Sequence, residues 1–304
     1  DFQHTEDDPL PLAGNGDISV EVTESGPVRA SLAVTFTARL PVAVDATRRR
    51  RLATTVELPV QLAVWVEMGS DTVHVSGTVA NTASDHRIRV HFPAPSEANR
   101  VISDGQFSVE TRSLDVPDTS GWVQQITGIR PHQSWVGIGD RQAAVCVFTD
   151  GLHEHEATAS GTGRTLGITL LRSVGWLSRG DLTTRPGQAG PMIRTPEAQC
   201  QGINSFRYGF RLFASEQELL ETVPHGGSPF VQPVTATAVP HNSGPVSELS
   251  LLSLADTDFV LTALMGSFTM PGATIARFYN ASLRQVAQEV QVSSLFTRAT
   301  RVTF

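Results

Sequence analysis

At 304 residues, 40% of them hydrophobic, and with a formal net charge of −7, the chain has apolar material for one large or two ordinary domains. Its acidic balance gives no electrostatic footprint for nucleic acid or an anionic membrane. All 23 basic residues are Arg, which excludes Schiff-base lysine chemistry and a P-loop lysine.

Two cysteines, Cys146 and Cys200, make neither a disulfide framework nor a zinc ribbon and fit a reducing, cytoplasmic setting. No apolar run approaches the length of a membrane span. The acidic opening and the missing initiator Met read as a processed or excised piece of a longer protein.

The first strand falls at residues 32–40, where Leu32, Val34 and Phe36 alternate with Ala33, Thr35 and Thr37 before Pro41. The run Arg48 to Arg51 has no interleaved aromatics and reads as a solvated loop rather than an anion site. Residues 56–67 give the clearest alternation, with Val56, Leu58, Val60, Leu62, Val64 and Val66 on one face. Met68-Gly69-Ser70-Asp71 then turns the chain into Val73, Val75, Gly77 and Val79, and a second polar turn leads to Ile88, Val90 and Phe92 against Arg87, Arg89 and His91. Successive strands with short turns predict an antiparallel meander. Further strands are expected at residues 107–111, 135–138, 143–148 and 166–173.

From Gly175 to Gly202 a long loop interrupted by Pro186, Pro191 and Pro196 carries Arg172 at its entrance and Arg179, Asp181, Arg185 and Arg194 within it, a density of charge that points to a task. Phe206, Tyr208, Phe210 and Leu212 alternate as the next strand. Ser215 with Glu218 forms a capping box for the one persuasive helix. Residues 224–245, rich in Pro and Gly, read as a connection between a main unit, 1–223, and C-terminal strands, 246–304. A strand is expected at 234–238 within that connection, and others at 259–264, 274–279, 286–292 and 300–304. More than ten short strands with at most one or two short helices predict an all-β fold, a large antiparallel sandwich.

The densest functional cluster is His153-Glu154-His155-Glu156. On a strand its histidines and glutamates fall on opposite faces, suited to a metal or an acid/base pair, and the alternative is an exposed turn after Phe148. Arg87 and Arg89 offer two guanidinium forks on one strand face, for a carboxylate or sugar hydroxyls, or else as its solvent cover. Trp65, Trp122, Trp135 and Trp176 either stack on sugar rings or serve as core and rim. There is no nucleophile elbow, phosphate loop or complete dinucleotide fingerprint, and the sequon Asn280-Ala281-Ser282 reads as incidental.

Several blocks together carry a resemblance. They are Asn81 followed by H-R-I-R-V-H-F-P at 86–93, S-D-G-Q-F-S-V at 103–109, D-G-L-H-E-H-E at 150–156, L-L-R-S-V-G-W-L-S-R at 170–179, A-G-P at 189–191, T-P-E-A-Q at 195–199 and I-A-R-F-Y-N at 275–280. In this order they resemble the C-terminal half of family-38 glycoside hydrolases, the α-mannosidases and mannosylglycerate hydrolases. The segment 2–16 departs from the family pattern, keeping the acids without the expected Tyr.

The resemblance implies a galactose-mutarotase-like β-sandwich that packs against an N-terminal catalytic barrel of the same polypeptide. It also implies that the zinc ligands and the nucleophile of the retaining mechanism lie on that barrel, leaving no catalytic or metal residue here. Arg172, Arg179 and Asp181 are the residues it assigns to binding a mannose-containing carbohydrate. Two other readings stay open: a free-standing carbohydrate-binding module using the Trp and Arg residues, and a mutarotase-like epimerase with a His and Glu154 or Glu156 as acid and base.

Overall fold

The computed structural model describes residues 9–12, 17–95, 97–160, 163–182, 184–226, 230, 250–254, 258–282 and 284–301. The strands in chain order are β1 (Ile18–Ser25), β2 (Arg29–Pro41), β3 (Thr55–Glu67), β4 (Val73–Asn81), β5 (Arg87–Ala94), β6 (Arg100–Gly105), β7 (Ser108–Ser113), β8 (Ile129–Pro131), β9 (Trp135–Gly139), β10 (Ala144–Asp150), β11 (Glu154–Ser160) and β12 (Gly163–Arg172). After two short strands, β13 (Asp181–Leu182) and β14 (Arg185–Pro186), come β15 (Gly202–Phe213), helix α1 (Glu216–Gly226), β16 (Leu252–Leu254), β17 (Phe259–Gly266), β18 (Thr274–Asn280) and β19 (Val290–Val292).

A nine-stranded sheet in the order β1-β2-β3-β4-β15-β10-β9-β6-β7 faces a four-stranded sheet in the order β5-β12-β11-β8. All their pairings are antiparallel. Val75, Val101, Val136, Ile138, Val145, Val147, Phe206 and Tyr208 of the wide sheet meet Phe92, Leu166 and Ile168 of the narrow one. Further along, Ala38, Leu40, Leu58, Val60 and Val79 meet Ile88 and Leu171. This is the alternation of two packed inner faces. Gly77 is required where Phe206 crosses β4, since a Cβ there would lie 2.5 Å from the Phe206 ring.

The outer face of the wide sheet is covered by α1. Ser215 Oγ accepts the Glu218 amide at 3.1 Å, and the Glu218 carboxylate accepts the Ala214 amide at 2.7 Å, so the helix starts in a reciprocal cap. Leu219 and Val223 are buried against Ile102, Trp135, Ala144, Cys146, Phe148 and Phe213. Strand β10 is thus buried on both faces, which explains its unbroken apolar run Ala144-Val145-Cys146-Val147-Phe148.

The all-β sandwich, with one α-helix among the described residues, agrees with expectation. Strand β1, the β6 strand and the length of β11 were not foreseen, and Leu212 is 71% exposed rather than inward, at a point where β15 has run past its last pairing with β4, at Phe210. The last strand is shorter than the predicted 286–292. The predicted strand 234–238 and residues 302–304 lie outside the described residues, and α1 runs through Pro224 to Gly226. Strands β17 and β18 form a hairpin whose Arg277 guanidinium lies 4.7 Å from the Phe107 ring centroid, next to β7.

Leu219 is fully buried against Gly137, whose missing Cβ would meet the Leu219 side chain at 2.6 Å. Leu219→Ala is therefore expected to cost about 2–5 kcal/mol, read from urea denaturation. A loss near zero would show that α1 is not a working part of the fold.

Candidate functional site

The last turn of β4 and the end of β12 converge on Asn81. Its side-chain nitrogen lies 3.1 Å from Ser173 Oγ, 2.9 Å from the Gln199 carbonyl and 3.1 Å from the Cys200 carbonyl, and its Oδ1 accepts the Ala83 amide. Asn81 is 1% exposed, so these bonds carry the full weight of a buried amide. They close the charged loop at both ends. Within it the Ser173 amide donates to the His86 carbonyl, Val174 to Ala198, Leu177 to Ile193 and Thr195 to Gly175, so the loop folds as an irregular ladder with Trp176 opposite Arg194.

Beside this anchor Arg48 donates to both oxygens of Asp85, at 2.8 and 3.3 Å, and the Gln199 side chain bonds the Asp85 amide and carboxylate together. Burial pushes the Asp85 carboxyl up, but the bonds from Arg48 and Gln199 hold it below the usual carboxylate range. Arg48, Asp85 and Cys200 all adopt positive φ, between 52° and 60°, so three of the four described non-glycine residues in that region gather at this corner.

A cleft of about 1230 Å³ opens there, with an apolar floor between the sheets at Phe36, Leu40, Val60 and Tyr208 and a charged mouth at Arg48, Asp85, Arg179 and Asp181. Arg179 grips Asp181 side-on, at 2.8 and 2.5 Å, and this bond holds the Asp181 carboxyl below its usual range. The guanidinium carbons of Arg179 and Arg194 lie 5.1 and 4.7 Å from the Trp176 ring centroid, which commits that ring to cations. Arg179 and Asp181 thus come together on the cleft wall.

Arg172 does not line the cleft. It reaches Glu154 at 3.3 Å on the outer face of the narrow sheet, with half its side chain exposed. Glu154 also accepts the Thr169 hydroxyl at 2.6 Å and Arg87 at 3.2 Å, while Glu156 binds Arg89 and lies 3.6 Å from Arg87. The forks of Arg87 and Arg89 therefore serve glutamates of their own sheet, and those glutamates are spoken for. Trp135 is buried under α1, Trp65 stacks on His74 at 5.2 Å, and Trp122 is the exposed indole, at 64%.

The His-Glu-His-Glu segment is a strand start, not an exposed turn. His155 is 2% exposed and its Nδ1 lies 3.2 Å from Nδ1 of His132, whose Nε2 meets the Thr149 hydroxyl at 3.0 Å. One ring must donate and the other accept, so the accepting ring is neutral. Burial pulls the pKa of His132 down to about 4 and that of His155 to about 3. His153 turns the other way, to the carbonyls of His132 and Gln133. No group of three or more His, Cys, Asp or Glu among the described residues converges on a metal position. His132 was missed because no spacing connects it to His155.

A sandwich of this topology with a charged loop folded over one end defines a class, and the comparisons give it a family. The chain belongs to the glycosyl hydrolases family 38 C-terminal domain, whose pattern its residues 1–181 match. It is 26% identical over 205 residues to a putative mannosylglycerate hydrolase of Halalkalibacterium halodurans, a match covering 62% of this chain and 21% of that protein. The crystal structure of an alpha-mannosidase from Enterococcus faecalis V583 superposes with a TM-score of 0.76 at 27% identity, over 91% of this chain and 31% of that one. A second family-38 glycosyl hydrolase structure from Enterococcus faecalis gives 0.75 at 25% identity, over 91% and 32%. The chain thus spans about a third of the crystallised relatives' length and a fifth of the curated one's. No described helix is long and apolar enough to cross a membrane.

Removing the anchor amide in Asn81→Ala is expected to cost about 2–3 kcal/mol and to speed amide exchange at residues 174–182. Unchanged exchange there would mean that Asn81 does not hold the loop. The buried pair makes stability pH-dependent: the unfolded histidines take up protons near pH 6.5 and the folded ones do not, so stability is full above about pH 6.5 and falls towards pH 4. His132→Leu with His155→Leu should flatten that slope in chemical denaturation by close to two protons, and an equal slope would rule the pair out as its source.

Proposed function

We propose that this chain is the C-terminal β-sandwich domain of a zinc-dependent, retaining α-mannosidase-like glycoside hydrolase, inactive alone. In this reading it supports and completes a sugar site whose catalytic carboxylates and zinc lie on an N-terminal barrel of the same polypeptide. The observation that carries it is family membership combined with length: relatives matched over nearly all of this sandwich have about two thirds of their chain elsewhere. The residues described here do not fit a zinc centre, since the two closest imidazoles bond to each other in the core. No chemical step is therefore assigned to them.

The contribution of this domain is binding and positioning. Asp181 fixes the plane of Arg179, and the guanidinium keeps donors beyond those used in the pair, a fork suited to adjacent sugar hydroxyls or a carboxylate. Arg172, named with them by the family resemblance, is tied to Glu154 on the outer face of the narrow sheet, apart from the cleft that Arg179 and Asp181 line. The expected ligand is a mannose-containing carbohydrate.

The 304 residues alone should leave an aryl α-mannoside intact, while the complete polypeptide hydrolyses it. In that polypeptide, Arg179→Ala should lower kcat/KM by about 10–100-fold without changing its thermal midpoint. Hydrolysis by the isolated chain at the rate of an intact family member would overturn the proposal.

A further inference from the structure

The nine-stranded sheet is wider than the four-stranded sheet that covers it. Cross-strand partners share a face, so exposure can be followed along each row of the inner face. From β4 to β1 it rises from Val79 (2%) and Val60 (6%) to Ile18 (47%), and in a second row from Val75 (4%) to Leu32 (37%) and Val22 (63%). Val20, 59% exposed, lies between them, and the opposite face of β1 carries Ser19, Glu21 and Thr23. This is the alternation of a strand with one face covered, yet no described residue covers it.

The same face runs into the cleft, since Phe36, the partner of Ile18, lines it. His86 lines the cleft too, and both its ring nitrogens are buried with no hydrogen-bond partner among the described residues. Burial pulls the His86 imidazole towards its neutral form, against the nearby Ser84 backbone and Asp85. A bare apolar face and an orphaned imidazole beside it call for one occupant with an apolar ridge and a hydrogen-bonding group.

We propose that the overhang of β1 to β3, with His86, is the seat of the preceding part of a family-38 polypeptide. The inference rests on the function proposed above and adds the surface. About two thirds of each crystallised relative lies outside the matched part, enough chain to cover it, and the family assignment puts this domain last. A second copy fits less well, because pairing two β1 edges would bring Glu21 and Glu24 of each against the other in a chain of net charge −7.

The test compares the 304-residue chain with the polypeptide of the complete gene, each carrying Val20→Cys and Cys200→Ser, by maleimide labelling. Labelling of the introduced thiol should slow by about tenfold or more in the complete polypeptide. Equal rates overturn the proposal, as does concentration-dependent protection in the 304-residue chain with a dimer by light scattering. His86→Phe, which keeps ring volume without polar atoms, should leave or raise the thermal midpoint of the short chain and lower that of the complete one. An equal response in both removes His86 from the contact. A gene with no coding sequence ahead of Asp1 overturns the proposal and leaves family membership intact. Protection without hydrolysis of the aryl α-mannoside keeps the surface and sinks the proposed activity, and hydrolysis without protection does the reverse.

Discussion

One buried amide holds together the end of the sandwich where the cleft opens. Asn81 closes β4, and through Ser173, Gln199 and Cys200 it ties the exit of β12 to the entrance of β15. Without that tie, the two sheets would hold the loop only at its stems, and the Asp85–Gln199 contact beside it would lose its reference point. The strained backbone of Arg48, Asp85 and Cys200 is tolerated because this network over-determines it. A carboxamide suits the position, since it donates and accepts in one plane without bringing a charge into the core.

The absence of lysine gives the electrostatics a particular character. Arg87 is 3% exposed by its side chain and bridges two glutamates, a task that needs several donors in one plane rather than a point charge. Arg179 and Arg194 both use Trp176 as a platform, which keeps their charge near the cleft without burying it. The narrow sheet's outer face is thus held by ion pairs, while the cleft keeps Arg48 and Arg179 at its mouth.

Much of the fold was legible, and its limits were physical. The meander β2 to β4 could be read because its period-two pattern coincides with one buried face, but β5, expected to continue it, crosses to the narrow sheet and pairs with β12, and Phe206 and Tyr208 turned inward as their alternation required. Strand β1 alternates just as regularly and is joined to β2 by the Ser25-Gly26-Pro27 turn, a hairpin signal that the reading of the sequence passed over. Arg179 and Asp181 were named through the family resemblance and not from their spacing, and their ion pair is seen only in the fold. Asn81 and Ser173, 92 residues apart, and His132 and His155, on different strands' approaches, could not, since nothing local records which loops the topology brings together. The same holds for Arg87 and Arg89, whose glutamate partners lie 67 residues on.

The position of β15 has a consequence for how the chain comes into being. It lies between β4 and β10, so the first four strands and the β6, β7, β9, β10 group share no ladder until residues 202–213 join them. A nascent chain emerging from the ribosome would carry two unjoined half-sheets from the completion of β10 at Asp150 until β15 emerges at residues 202–213, each with an unpaired edge. Closure of the wide sheet is then a late, long-range event that neither half can anticipate, and the interval before it is when this domain is most exposed to misassembly.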